Sequence, residues 1–298
     1  MKNRVLYTAL CALVWVSCNR HETSEINHQK NTSMQDSILP QGAYAEVNGL
    51  KMYYELYGEG EPLVLLHGGG STIQTSFGRI IPSLAKHRKL ICIELQAHGR
   101  TGDRASDISF EQDAADVKAL LLKLNITKAD VFGFSNGANT ALQMAIDYPQ
   151  LCGKIIAASP LLKRNGTFPQ FWDFMKKGTF EQMPKEYKDA FMAVNPDSAK
   201  LYNMYEKCAH RMIHFKEFSD EQIVSIQSPV LLLNGDQDVA SSEHIVAMSK
   251  LIPHASLMIV PGGHGAYMGE VTTLKADGKA PEYIVPILLQ FLNDGTRP

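Results

Sequence analysis

Short, mostly apolar runs recur at 63–66, 90–94, 130–134, 154–158, 230–233 and 257–260, the pattern of strands buried on both faces. Between them the period lengthens to that of a helix. Over 110–124 the apolar positions are Ala114, Val117, Leu120, Leu121 and Leu124, and a second helix is expected over 138–148, stopped by Pro149. Ahead of these, β-rich stretches at 44–47 and 51–57 flank Asn48-Gly49, a hairpin turn that predicts an antiparallel edge. Strand and helix alternating on this scale predict an α/β fold: a mostly parallel central sheet with helices on both faces. The alternation stops over about 160–228. Phe168, Phe171, Trp172, Phe174, Met175 and Met183 crowd part of that stretch, which predicts an inserted helical cap over one end of the sheet.

The first residues follow another pattern. Lys2 and Arg4 precede an apolar run over 5–16, too short for the roughly 20 residues that span a bilayer and suited to an export signal. Its end, Trp15-Val16-Ser17-Cys18, resembles the lipobox of bacterial lipoproteins, although Trp15 departs from the usual aliphatic residue. That resemblance implies cleavage before Cys18, acylation of its sulfur and a lipid-anchored protein of the cell envelope; ordinary secretion is the alternative. The polar residues that follow, without apolar periodicity, suit a flexible tether. The expected organisation is a signal peptide over 1–17, a tether over 18–40 and one domain over 41–298.

Composition narrows the partners. With 29 Lys and Arg against 31 Asp and Glu, the chain has no basic field for a nucleic acid, and the only membrane link expected is the lipid anchor. Five cysteines without a paired C-x-x-C spacing supply neither a disulfide framework nor a four-ligand zinc site. A small-molecule substrate is the expected partner.

Candidate chemistry centres on Gly133-Phe134-Ser135-Asn136-Gly137, a Gly-x-Ser-x-Gly set between an expected strand and an expected helix. A nucleophile on such a turn needs strained backbone angles and close neighbours, which the two glycines permit, and the helix start directs free N–H groups toward a developing oxyanion. With this pentapeptide the chain resembles the α/β-hydrolase superfamily from about residue 43 onward. Further matching blocks are Leu65-Leu66-His67-Gly68-Gly69-Gly70, Glu94-Leu95-Gln96-Ala97-His98-Gly99-Arg100-Thr101, Asn234-Gly235-Asp236-Gln237-Asp238 and Gly262-Gly263-His264-Gly265, in the family's order. Glu94 and Ala97 depart from the Asp and Gly usual in the second block, a change that touches loop packing more than the reaction.

The resemblance implies Ser135 as nucleophile, His264 as base and Asp238 as acid, with Asp236 a competing carboxylate that more often organises the turn. It implies an oxyanion hole from the N–H groups of Asn136 and Gly69, with Gly70 the near rival. His67 and His98 fall in motifs where the ring serves loop structure. His210 and His214 share a helical face, but Arg211 stands where a zinc protease needs Glu, so no metal is expected. No nucleotide cofactor is expected either. The Gly run lacks the Gly-Lys-Ser/Thr of a P-loop, and Gly58-Glu59-Gly60 has Leu63 where a dinucleotide fingerprint needs its third Gly.

The expected activity is hydrolysis of an ester, lactone or thioester through an acyl-enzyme. Aminopeptidase, carbon-carbon bond hydrolase and cofactor-free perhydrolase stay open on the same residues, and a non-catalytic surface binding lipoprotein is the rival of another class. Trp172 is expected to shape an apolar acyl site above Ser135.

Overall fold

The computed structural model describes residues 40–274 and 278–294. The expected signal peptide, Cys18 and nearly all of the expected tether lie outside the described residues.

Eight strands form one sheet among the described residues: β1 (Gln41–Val47), β2 (Leu50–Tyr57), β3 (Pro62–Leu66), β4 (Lys89–Ile93), β5 (Ala129–Phe134), β6 (Cys152–Ala158), β7 (Val230–Gly235) and β8 (Ala255–Val260). Their order is β1-β2-β4-β3-β5-β6-β7-β8. The β1–β2 and β2–β4 pairs are antiparallel, and the others are parallel. Asn48 and Gly49, at φ 48° and 75°, make the tight hairpin between β1 and β2, both in the left-handed region that such a turn demands.

The apolar runs divide by twos. Leu63, Leu65, Phe132, Phe134, Ile156, Leu231 and Leu233 pack on one face, while Val64, Leu66, Val131, Ile155, Val230 and Leu232 pack on the other. Helices cover both faces, so neither set needs a polar partner position, and alternation disappears from the strand sequences. The first face meets α1 (Ile73–Phe77), α2 (Ile81–Leu84) and, near the C-terminus, α10 (Ile284–Asn293). The second meets α3 (Phe110–Lys123), α4 (Asn136–Asp147) and α9 (Ser242–Leu251). Each fully buried Leu or Ile contributes about 1.5–3 kcal/mol through removal from water, which makes these two layers the main source of stability.

Between β6 and β7 lie α5 (Gln170–Lys177), α6 (Lys185–Val194), α7 (Ser198–Ile213) and α8 (Asp220–Val224). Few of their side chains are buried among themselves; Phe191, Leu201 and Met204 form a small cluster with Ala97 of the main body. Polar ties fasten the segment as well. Arg211 of α7 reaches Asp113 of α3 at 2.7 Å, both side chains buried, and Asn195 Nδ2 donates to the Gly99 carbonyl at 2.8 Å.

Candidate active site

The Gly-x-Ser-x-Gly segment forms the turn from β5 into α4. Ser135 sits at φ 54°, ψ −120°, a sparsely populated conformation for a residue with a side chain, and the helix begins at the next residue. Asn136 and Gly137 carry no apolar signal, so the period of the sequence places this helix start two residues late. The turn is this tight because two glycines allow it. A Cβ at Gly133 would lie 2.0 Å from the Gly137 carbonyl oxygen, and one at Gly137 would lie 2.1 Å from that of Leu66.

Ser135, Asp238 and His264 come from loops at the carboxyl ends of β5, β7 and β8, and they meet. Ser135 Oγ lies 3.0 Å from His264 Nε2, and His264 Nδ1 lies 2.6 Å from Asp238 Oδ1. Phe134 supports the imidazole from below, with ring centroids 4.8 Å apart. Asp236 is turned elsewhere, its Oδ1 accepting from the Gly262 N–H at 2.8 Å and bracing the loop that carries His264.

Asp238 is saturated as an acceptor. Oδ1 also takes the Val239 N–H at 2.7 Å, while Oδ2 takes the Gly235 N–H at 3.1 Å and the Ser159 hydroxyl at 2.6 Å. Burial alone would raise its pKa, but the hydrogen bond and charge of His264, with the bonds from Ser159 and Gly235, hold it below the ordinary 3.8. Ser159 directly follows β6, the strand between β5 and β7, and adopts φ 54°. Its Oγ lies 2.7 Å from the hydroxyl of the fully buried Tyr267. With Ser159 donating to Asp238, Tyr267 is left to donate to Ser159. Neither residue stands in a motif, and only their contacts through the fold bring them into view.

The Gly-rich loop after β3 runs past Ser135. The Gly70 N–H donates to His98 Nε2 at 3.1 Å and is thereby occupied. The Gly69 and Asn136 N–H groups have no acceptor among the described residues, and a Cβ at Gly69 would lie 2.4 Å from Asn136 Nδ2. Geometry therefore leaves Gly69, and not Gly70, free to pair with Asn136.

His67 and His98 bind loop to loop. His67 Nδ1 donates to the Gly68 carbonyl at 2.7 Å while Nε2 accepts from the Leu95 N–H at 3.1 Å. His98 Nδ1 donates to the Gln96 carbonyl at 2.8 Å. Both rings are therefore neutral and carry the proton on Nδ1. Glu94 takes the place of the family's Asp and accepts from the Arg100 N–H at 2.6 Å and from its guanidinium at 2.7 Å, while Ala97 holds φ 66° without glycine.

These buried groups give stability a pH dependence. Burial, then the Arg211 charge, lowers His98 from 6.5 to about 4; burial, then Lys163, does the same for His244; burial, then His98, lowers His67 well below 6.5. For groups depressed by folding, the stabilisation is present above pH 6.5 and is lost as pH falls toward 4, about 3 kcal/mol for His98 alone. Glu94, raised by burial from 4.5 to about 7, acts in the opposite sense: its contribution is full below pH 4.5 and is lost as pH rises through 7. Asp113, also raised by burial, acts in the same sense as Glu94, and the three histidines outweigh these two carboxyls. Unfolding free energy measured by denaturant should fall from pH 6.5 to 4 with net proton uptake; a flat profile would contradict neutral burial of these rings.

A cavity of about 440 Å³ opens above Ser135. Its floor includes Gly69, Ser135, Asn136 and His264, and its walls include Phe171, Phe174 and Met175 of α5 and Met212 of α7. Clefts of about 500 and 730 Å³ elsewhere, lined in part by the amino ends of β3, β5, β6 and β8, contain none of the motif residues. Parallel α/β sheets bind ligands at the carboxyl ends of their strands, which selects the first cavity.

Trp172, expected to shape the acyl site, does not line the cavity. Its Nε1–H donates to the Arg164 carbonyl at 2.7 Å, and its ring stacks on Phe215 and beneath the Arg164 guanidinium, away from the cavity lining. The indole N–H needs an acceptor, and the backbone beside it supplies one. Its neighbours Phe171, Phe174 and Met175 take the cavity wall instead.

The chain matches the alpha/beta hydrolase fold family over residues 61–214, more than half its length, and it belongs to that family. Among similar proteins, pyrrolizixenacetamide deacetylase of Xenorhabdus hominickii is 28% identical over 136 residues, which are 46% of this chain and 48% of that one. The chain spans half or less of the length of the first curated relatives it matches. A serine hydrolase of carbazole degradation superposes with a TM-score of 0.70 at 19% identity, covering 85% of this chain and 99% of that one. The enol-lactonase of Burkholderia xenovorans LB400 gives 0.65 at 17% identity, covering 85% and 100%. At these identities the superpositions show the fold alone.

Proposed function

We propose that the protein is a serine hydrolase that cleaves an ester, lactone or thioester of a small molecule through an acyl-enzyme. The observation that carries this reading is the unbroken contact from Ser135 Oγ through His264 to Asp238, at 3.0 and 2.6 Å. A serine hydroxyl is a poor nucleophile until a base removes its proton, and the carboxylate fixes the imidazole tautomer that can do so. Ser135 Oγ attacks the carbonyl carbon as His264 Nε2 takes its proton. The carbonyl oxygen gains charge between the Gly69 and Asn136 N–H groups. His264 then passes the proton to the leaving atom, the carbon–heteroatom bond breaks, and water repeats the sequence on the acyl-Ser135 ester. The deacetylase among the similar proteins agrees with chemistry at an acyl carbon.

A fluorophosphonate probe should add once to the native protein, on the peptide holding Ser135, and p-nitrophenyl acetate should be turned over. Folded protein that neither labels nor hydrolyses would favour the binding-lipoprotein reading.

We further propose that Cys18, outside the described residues, is the acylated anchor. Wild-type protein should then fractionate with membranes, and Cys18→Ala should release it or leave it unprocessed. A soluble native protein beginning downstream of Cys18 would overturn the anchor.

A further inference from the structure

The cavity above Ser135 is uncharged. Apart from His264, no Lys, Arg, Asp or Glu lines it among the described residues. Arg211 is paired with Asp113 at 2.7 Å and Lys207 with Asp103 at 2.8 Å, Arg164 lies over the Trp172 ring at 3.8 Å, and the exposed Lys176 and Lys177 of α5 are not among the lining residues.

The polar atoms of the wall are largely engaged as well. Asn139 donates to the Leu161 carbonyl at 2.8 Å and accepts the Leu161 N–H at 3.2 Å. Tyr205 donates to the Gly178 carbonyl at 2.9 Å, and Gln182 Oε1 accepts the Thr179 N–H at 2.9 Å. What remains for a ligand is mainly apolar surface from Leu161, Phe171, Phe174, Met175, Met183 and Met212, with the uncharged amides of Asn136 and Gln182 in the lining and the reacting groups at the floor. A carboxylate brought here would lose its water and gain no cation, a state that proteins avoid.

Direction follows from the histidine. His264 must meet the leaving atom, and 29% of its side chain remains exposed, so the leaving group has an outlet to solvent. The apolar wall formed by α5 and α7 is left to the acyl group.

We infer that the substrate carries an uncharged, apolar acyl group and that the site rejects acyl chains ending in a carboxylate. The inference rests on the serine-hydrolase reading and adds the substrate class. Two features make it selective. Each methylene buried against the Met and Phe wall raises transition-state binding, about fourfold in kcat/KM, until the cavity is full. A terminal carboxylate at the same length removes that gain and adds an unpaired charge.

The test compares p-nitrophenyl pentanoate with mono-p-nitrophenyl glutarate, matched in length and differing in the terminal carboxylate, alongside the acetate, butyrate and hexanoate esters. The expected result is a glutarate kcat/KM at least about 100-fold below that of pentanoate, with a steady rise from acetate to hexanoate. Phe174 is 58% exposed at the cavity wall, so Phe174→Arg places a cation there with little demand on the core. It should narrow the pentanoate-to-glutarate ratio tenfold or more. Glutarate turned over as well as pentanoate, or a ratio unmoved by Phe174→Arg in folded protein, would overturn the inference while probe labelling and acetate hydrolysis keep the serine-hydrolase reading intact. Absence of both labelling and acetate hydrolysis would instead remove that reading, and this one with it.

Discussion

Ser135→Ala should lower kcat by about 10⁵ to 10⁶ and abolish fluorophosphonate labelling, a loss of about 7–8 kcal/mol of transition-state stabilisation. The size follows from the role. Without the hydroxyl there is no acyl-enzyme, and His264 and Asp238 lose the group they act through, so the whole constellation fails together. The remaining acceleration would come from the Gly69 and Asn136 N–H groups and from binding in the cavity. Stability should barely change, because Ala keeps the backbone at φ 54°, ψ −120° and only one hydroxyl, bonded to His264, is deleted. Ser135→Gly offers a sharper control: equally inactive, yet freed of the strain of a side chain in a sparsely populated region, which costs of order 1–3 kcal/mol. A higher melting temperature for Ser135→Gly than for Ser135→Ala would show strain held at the nucleophile. Equal labelling of Ser135→Ala and wild type would remove Ser135 from the mechanism.

Much of the fold is written locally. Runs such as 130–134 and 230–233 are apolar at nearly every position because helices cover both faces of the sheet, and the Asn48-Gly49 hairpin needs only its own two residues. The site is legible where the backbone itself is constrained. Gly133 and Gly137 mark the elbow because no side chain fits there, and Asp238 lies at a fixed interval from the end of β7. Legibility ends where partners are distant in sequence. The choice between Gly69 and Gly70 turns on the His98 ring, 28 residues beyond Gly70, which occupies the Gly70 N–H. Ser159 reaches Asp238 from the neighbouring strand's end with Tyr267 bonded behind it, and nothing in their neighbourhoods announces it. Trp172 shows the same limit from the other side: an aromatic cluster signals that α5 buries a face, but which ring meets the cavity depends on the Arg164 carbonyl and Phe215.

Asp238→Asn should lower kcat by roughly 10³ to 10⁴, about 4 to 5.5 kcal/mol, while Asp236→Asn should cost far less activity. The two carboxylates stand two residues apart and differ in what surrounds them. All four acceptor positions of Asp238 are filled by donors: the His264 ring, the Ser159 hydroxyl and the N–H groups of Gly235 and Val239. An amide brings one acceptor oxygen and an NH₂ group, so two of those four donors must face a donor. If the NH₂ turns toward His264, it selects the tautomer with the proton on Nε2, which cannot accept from Ser135. If it turns toward Gly235, a buried N–H loses its partner at a cost of about 1–3 kcal/mol. Either way the charge that stabilises the imidazolium is gone. Asp236 accepts one bond, from the Gly262 N–H, and is exposed, so an amide oxygen can replace it with a small change in melting temperature. The decisive measurement is kcat for the pair on one ester. Loss of activity in Asp236→Asn with near wild-type rate in Asp238→Asn would move the acid by two residues and leave Ser135 and His264 standing.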